Sequence, residues 1–174
     1  MAKKGRNFRC FYTTLGRLTF MTDNAATGAS TIERLAGRDL NQDGKVINLV
    51  ICGYSRYYNY EWIEEQLEEW IEWNDYPDLI IIGGASGVDY LVERWATNQA
   101  IPMAIFTEAW NQPRQGLEDS GRPEAQPTLG EKMLESATHL IAFPGPNSKW
   151  TTVMVEMAKQ KGIPAISIPT PSDG

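Results

Sequence analysis

The sequence is poor in the residues that build stapled or metal-held folds. Among 174 residues it has two cysteines, Cys10 and Cys52, no Cys-x-x-Cys pair, and one histidine, His139. This argues against a disulfide framework or a zinc ribbon and fits a reducing compartment. A single imidazole cannot form a histidine-based metal cluster, and neither a metal nor a cofactor is expected. No apolar run approaches the ~20 residues of a membrane-spanning helix. The basic opening, MAKKGRNFRCFYTTLGRLTF, is interrupted by Arg9, Thr13, Gly16 and Arg17, so it lacks the apolar core of a signal peptide. A cytoplasmic protein without membrane association is expected. Internal repeats and low-complexity tracts are also missing.

What is present is the composition of an ordinary folded domain, with 42% hydrophobic and 22% charged residues. A chain of this length buries roughly two-thirds of its unfolded surface and needs no staple to fold. The net charge of −6 makes it a poor bulk binder of nucleic acid. The charge is uneven. Residues 1–45 carry 8 Lys/Arg against 4 Asp/Glu, whereas the remainder carries 8 against 18. Both a basic arm folded over an acidic body and an arm that docks on another macromolecule or subunit fit this asymmetry.

From residue 46 onward, short apolar runs alternate with segments of helical period. Residues 46–52 (VINLVIC), 79–82, 103–106, 139–143 and 165–168 read as strands, bounded by glycine, proline or polar turns. Trp62, Ile63, Leu67, Trp70 and Ile71 form one stripe of an amphipathic helix, and Glu61, Glu64, Glu65, Glu68, Glu69 and Glu72 form its solvated face. Val88, Leu91, Val92, Trp95 and Ala96 mark a second helix. Residues 130–137 read as a short third helix and residues 150–161 as a fourth. Residues 108–128, rich in Pro, Gly and charge, read as a long loop. The expected body is therefore a three-layer αβα sandwich over residues 46–170, with a mostly parallel sheet of about five strands. Residues 1–45 form an N-terminal extension, with a hairpin or added strand over residues 8–20 and one or two helical turns at 31–36.

In such folds ligands bind beyond the carboxyl ends of the strands. Three loops fall there. Ile82-Gly83-Gly84-Ala85-Ser86-Gly87-Val88-Asp89 lies where a strand ends and a helix begins, so Gly83, Gly84 and Gly87 let the backbone approach an anion, and Ser86 adds a hydroxyl. A tight turn whose glycines serve geometry alone is the plainer alternative. Neither a Walker loop nor a Gly-x-Gly-x-x-Gly fingerprint is present. Pro144-Gly145-Pro146-Asn147-Ser148-Lys149-Trp150-Thr151-Thr152 brings hydroxyls and a lysine to a helix start, with Trp150 able to stack on a base. Here the alternative is helix capping by Ser148 or Asn147 and packing of Trp150. Gly53, Tyr54 and Arg56 follow the first strand, as base, ribose or phosphate contacts or as a cover on the sheet end. Asp89 suits a general base or a ribose hydroxyl contact, or alternatively a first-turn charge favoured by the helix dipole. Asp39-Leu40-Asn41-Gln42-Asp43-Gly44 matches the first half of a calcium loop, but Val50 stands at position twelve, so it reads as a polar turn.

The run from Ile82 to Asp89, followed by Trp95-Ala96, resembles the SLOG superfamily of Rossmann-like nucleotide-binding proteins, which includes DprA and the LOG phosphoribohydrolases. The YspA/YpsA-like branch is the most similar. Ile51-Cys52-Gly53-Tyr54-Ser55-Arg56, Ala109-Trp110, Met133, Leu140-Ile141-Ala142-Phe143 and Ser148-Lys149-Trp150-Thr151 fall where that branch carries related segments. The resemblance covers residues 46–168. It implies a Rossmann-like fold and a nucleotide-like ligand and, together with an exposed aromatic surface of Tyr57, Tyr58, Tyr60, Trp62 and Trp73, assembly into a homodimer or larger homo-oligomer.

The chain departs from the family pattern at three places. Ser86 replaces a basic residue, Leu129-Gly130 an Arg-Asn pair, and Trp150 a glycine. The LOG glutamate, three residues after its threonine, corresponds to Met154, and Glu156 is the nearest acid. The reading is a nucleotide-binding sensor or sequestering protein. A nucleotide N-glycosidase or phosphoribohydrolase using Asp89 or Glu156 is one alternative, and an assembly scaffold that has lost its ligand is another.

Overall fold

A computed structural model describes residues 27–106 and 127–172. The hairpin expected over residues 8–20 lies outside these residues, as does the long loop except for its last two residues, which begin a helix. Five strands form one sheet: β1 (Asn48–Gly53), β2 (Leu79–Ile82), β3 (Met103–Ile105), β4 (His139–Phe143) and β5 (Ala165–Ser167). Their order is β3-β2-β1-β4-β5, and all four pairings are parallel. The helices are α1 (Gly28–Leu35), α2 (Tyr60–Asn74), α3 (Val88–Gln99), α4 (Pro127–Leu134) and α5 (Lys149–Gln160).

The continuous apolar runs are explained by burial on both faces. Successive side chains of a strand point to opposite sides. Leu49, Ile51, Ile80, Ile82, Ile141 and Phe143 pack with α2 and α3 through Ile63, Leu67, Val92 and Trp95. Val50, Cys52, Leu79, Ile81, Leu140 and Ala142 pack on the other side with α1, α4 and α5 through Leu35, Met133, Met154 and Ala158. The chain is thus a Rossmann-like three-layer sandwich. Each fully buried Leu or Ile contributes about 1.5–3 kcal/mol of transfer free energy.

α2 buries Ile63, Leu67 and Trp70 and exposes Glu61, Glu65, Glu68, Glu69 and Glu72, so its acidic run is a solvated face. α4 begins at Pro127, three residues before the expected start. Proline suits the first helical position because its missing N–H would have no intrahelical partner there. Within the segment expected as an arm, α1 packs on the body: a β-carbon at Gly28 would lie 2.6 Å from the Phe106 ring.

His139 opens β4. Its ring stands edge-on to Trp70 at 5.4 Å, and Nδ1 lies 2.8 Å from Thr138 Oγ1. Burial disfavours the imidazolium and lowers its pKa. The unfolded chain then takes up this proton at a higher pH than the folded one. The stabilising contribution is present above the unfolded value of about 6.5 and is lost as pH falls below it. We predict that the melting temperature falls from about pH 7 to pH 5. His139→Gln should flatten that part of the profile, and an unchanged slope in the variant would refute the assignment.

Candidate functional site

From β1 the chain steps outward to β2 and β3, then returns to place β4 on the opposite side of β1. The strand order therefore reverses between β1 and β4, and the loops that follow them flank this switch point. These are residues 54–59 after β1, 83–87 after β2 and 144–148 after β4.

Tyr54 ties the three loops together. Its N–H donates to Phe143 O (2.9 Å), and its carbonyl accepts the Val88 N–H (3.0 Å). Its ring lies so close to Gly145 that a β-carbon there would come within 2.3 Å of the ring. Gly87 has φ +69 and touches the Tyr54–Ser55 backbone, and Ser86 Oγ donates to Ser55 O at 2.8 Å. Gly53 is equally confined, since a β-carbon would meet Phe143 O at 2.8 Å. Gly83 is buried beside the Asp89 carboxylate, and Gly84 has φ +78. Much of the glycine-rich loop is thus engaged with the loop after β1.

Asp89 is buried, and its Oδ2 accepts the Ala85 N–H at 3.1 Å, so the carboxylate turns back into its own loop. Its charge lies in the first turn of α3, where the helix dipole favours it. Burial, with this carboxylate nearby, pushes the Cys52 thiol far up, so Cys52 stays protonated and inert.

At the loop after β4, Ser148 occupies the N-cap position of α5, but its hydroxyl does not cap the helix. It accepts the Gly145 N–H at 2.7 Å and closes the loop instead. The Pro144 carbonyl accepts the N–H and hydroxyl of Thr170. Thr151 is buried under the helix, and Thr152 Oγ1 donates to Ser148 O. Lys149 and Arg56 are exposed. Trp150 packs on α4, where a β-carbon at Gly130 would lie 3.1 Å from Cη2 of the indole. Trp150 and Gly130 are therefore in mutual contact. Glu156 is exposed and lies about 200° around the helix from buried Met154, so it faces away from the sheet.

The helix caps differ across the molecule. Thr27 and Ser30 form a capping box on α1, and the Asn59 side chain accepts the Trp62 N–H of α2. α3 and α5, which start at the candidate site, have no side-chain cap. The α5 terminus has no acidic residue in its first turn, whereas α3 has Asp89. At α5 the Lys149 N–H donates to Asn147 O (3.0 Å), but no side chain caps the N–H groups that follow, a setting that favours an anion, and no carboxylate in the first turn opposes one.

The structure also presents Tyr90, half-exposed on the first turn of α3, with its ring centroid 6.5 Å from that of Tyr58. The apolar stripe of α3 passes over Tyr90, and only its place next to Asp89 at the helix start signals it. Tyr57, expected with Tyr58 on the exposed aromatic surface, is instead buried and stands edge-on to Trp62.

Fold and edge geometry define an all-parallel, Rossmann-like α/β protein with a candidate anion site at its switch point. No protein-family model matches the chain, and no curated protein matches it. Among the described residues, no helix is long and apolar enough to cross a membrane.

Proposed function

We propose that the chain is a SLOG-type protein that binds a nucleotide or nucleotide-derived small molecule at the carboxyl edge of its sheet, as a sensor or sequestering protein. The observation that carries the reading is the α5 terminus. It opens beside the switch point, has no side-chain cap and no first-turn acid, and begins with exposed Lys149. A phosphate there would meet backbone donors and an ammonium together. Arg56, exposed after β1, supplies a second positive charge on the same edge.

Binding is favoured over hydrolysis by the placement of the two candidate acids. Asp89 is buried and bonded to its own loop, and Glu156 faces away from the sheet. Neither presents an open carboxylate to a glycosidic bond.

The test is thermal shift and titration with a panel of nucleotides, including cyclic forms and ADP-ribose, followed by chromatography of the recovered ligand. Saturable binding with the ligand intact is expected. Lys149→Glu should weaken it by about tenfold or more, the equivalent of one lost charge-assisted contact. Because Lys149 is exposed, the unliganded variant should melt as the parent does. Release of a free base would convert the assignment to a glycosidase. No response to any nucleotide, or full affinity in the variant, would refute the reading.

A further inference from the structure

The opposite, amino-terminal edge of the sheet gathers acidic groups from distant parts of the sequence. Ligand oxygens of Asp39, Asp43 and Asp78 lie within 4.8 Å of one another. Asp78 is fully buried just before β2, and its two oxygens accept the N–H groups of Asn41 and Ile47, both at 2.8 Å. Asp39 accepts the N–H groups of Asp43 (3.2 Å) and Gly44 (2.8 Å), and Asp43 accepts that of Lys45 (3.0 Å). Burial opposes the charge on Asp39, but the donors from Gly44 and Asp43 outweigh it and hold the carboxyl below its ordinary value. Lys45, the basic residue of the turn, directs its ammonium to Asp75 at 2.5 Å, and Asp43 acts on it only at longer range.

A second observation is independent of the carboxylates. Asn41 is 7% exposed, and its side-chain nitrogen donates to the carbonyls of Tyr76 (2.9 Å) and Pro77 (3.2 Å). These bonds fix which end of the carboxamide is oxygen. That oxygen, Oδ1, is buried and accepts no hydrogen bond. A buried acceptor without a donor costs about 1–3 kcal/mol, a cost that a cation would remove. The residue sits between Asp39 and Asp43 in sequence, and its own N–H is bonded to Asp78.

We propose that Asp39, Asn41, Asp43 and Asp78 form a calcium site. Residues 39, 41 and 43 stand at positions one, three and five of a calcium loop, and Gly44, with φ +84, makes the turn at position six. The twelfth position, which carries a bidentate glutamate in a helix–loop–helix site, is Val50, buried in β1. Asp78, just before β2, supplies a carboxylate in its place, and because it lies far along the chain, spacing does not reveal the site. The remaining positions of a six- to eight-oxygen shell fall to backbone carbonyls and water. Exposed Asp43 leaves the ion an entry path.

The test uses the full chain, stripped of divalent ions by chelator and titrated with calcium chloride alone, with heat of binding and melting temperature both read. One calcium per chain is expected, with Kd of roughly 10⁻⁵–10⁻³ M and a much weaker magnesium response. Asp43→Asn should weaken binding by about tenfold or more while melting as the parent does in chelator. Should that variant be unstable, Asp39→Asn serves the same comparison. Glu72→Gln, which removes an exposed acid outside the cluster and leaves the Lys45–Asp75 pair in place, should bind as the parent does. No saturable uptake by about 10 mM calcium would overturn the site, since that exceeds the range of such loops. So would an equal response to magnesium, or binding that survives Asp43→Asn.

Discussion

Gly87→Ala is expected to lower the melting temperature by about 6–12 °C, from a loss of about 3 kcal/mol at ~2–4 °C per kcal/mol for a domain of this size. Two effects combine. The residue has φ +69, which an L side chain adopts only at a cost of about 1 kcal/mol. The new β-carbon would also fall 2.3 Å from Ser55 C and 2.4 Å from Tyr54 O. These are backbone atoms that no rotamer change can move. Relief requires the loop after β1 to withdraw, breaking the 3.0 Å bond from Val88 N to Tyr54 O and shifting Tyr54 from Gly145. Gly37→Ala is the control. Gly37 has φ +82 but nothing within 4 Å of its added carbon, so only the conformational cost applies, about 2–4 °C. Equal losses in the two variants, measured by thermal unfolding, would show that the loops are not in the described contact.

Asp78→Ala is expected to cost about 3–5 kcal/mol, because it leaves the Asn41 and Ile47 N–H groups without the acceptors they have in the folded chain. Hydrogen bonds to a charged acceptor are worth about 1.5–3 kcal/mol each, and an unmet donor in the interior keeps its full desolvation cost. Asp78→Asn should fall between, since its oxygen satisfies one donor while its amide nitrogen opposes the other. Denaturant unfolding in the presence of a chelator measures this loss apart from any effect of calcium. A loss within about 0.5 kcal/mol of zero would mean that Asp78 does not anchor the approach to β1.

Strand positions were legible because each is a short apolar run that needs no knowledge of its neighbours. β2 and β4 match their expected limits, and β1 is displaced by one or two residues. At Val46 the chain is still exposed, and pairing begins only at Asn48. α2 and α3 were legible from the spacing of Ile63, Leu67 and Trp70 and of Val88, Leu91 and Trp95, all of which are buried. The start of α4 was missed because the composition before it is that of a loop, and Pro127 there serves as a helix opener rather than a breaker.

The candidate site was legible in its loops but not in its contacts. The sequence leaves Asp89 as an open carboxylate or a first-turn helix charge, and Ser148 as a ligand hydroxyl or an N-cap. In the structure Asp89 stands in the first turn of α3, and both side chains accept backbone N–H groups within their own loops, Asp89 from Ala85 and Ser148 from Gly145. Such turns are set by loop conformation, which depends on Tyr54 arriving from a different strand.

By itself the sequence determined the strands, the two principal amphipathic helices and the layered α/β class, because burial patterns repeat with the local period of the backbone. Only the tertiary structure decided which loop leaves its helix end uncapped, that Trp150 packs on α4, and that Asp78 joins Asp39 and Asp43. Those arrangements join residues far apart along the chain, and no periodicity records a contact that exists only once the sheet has formed.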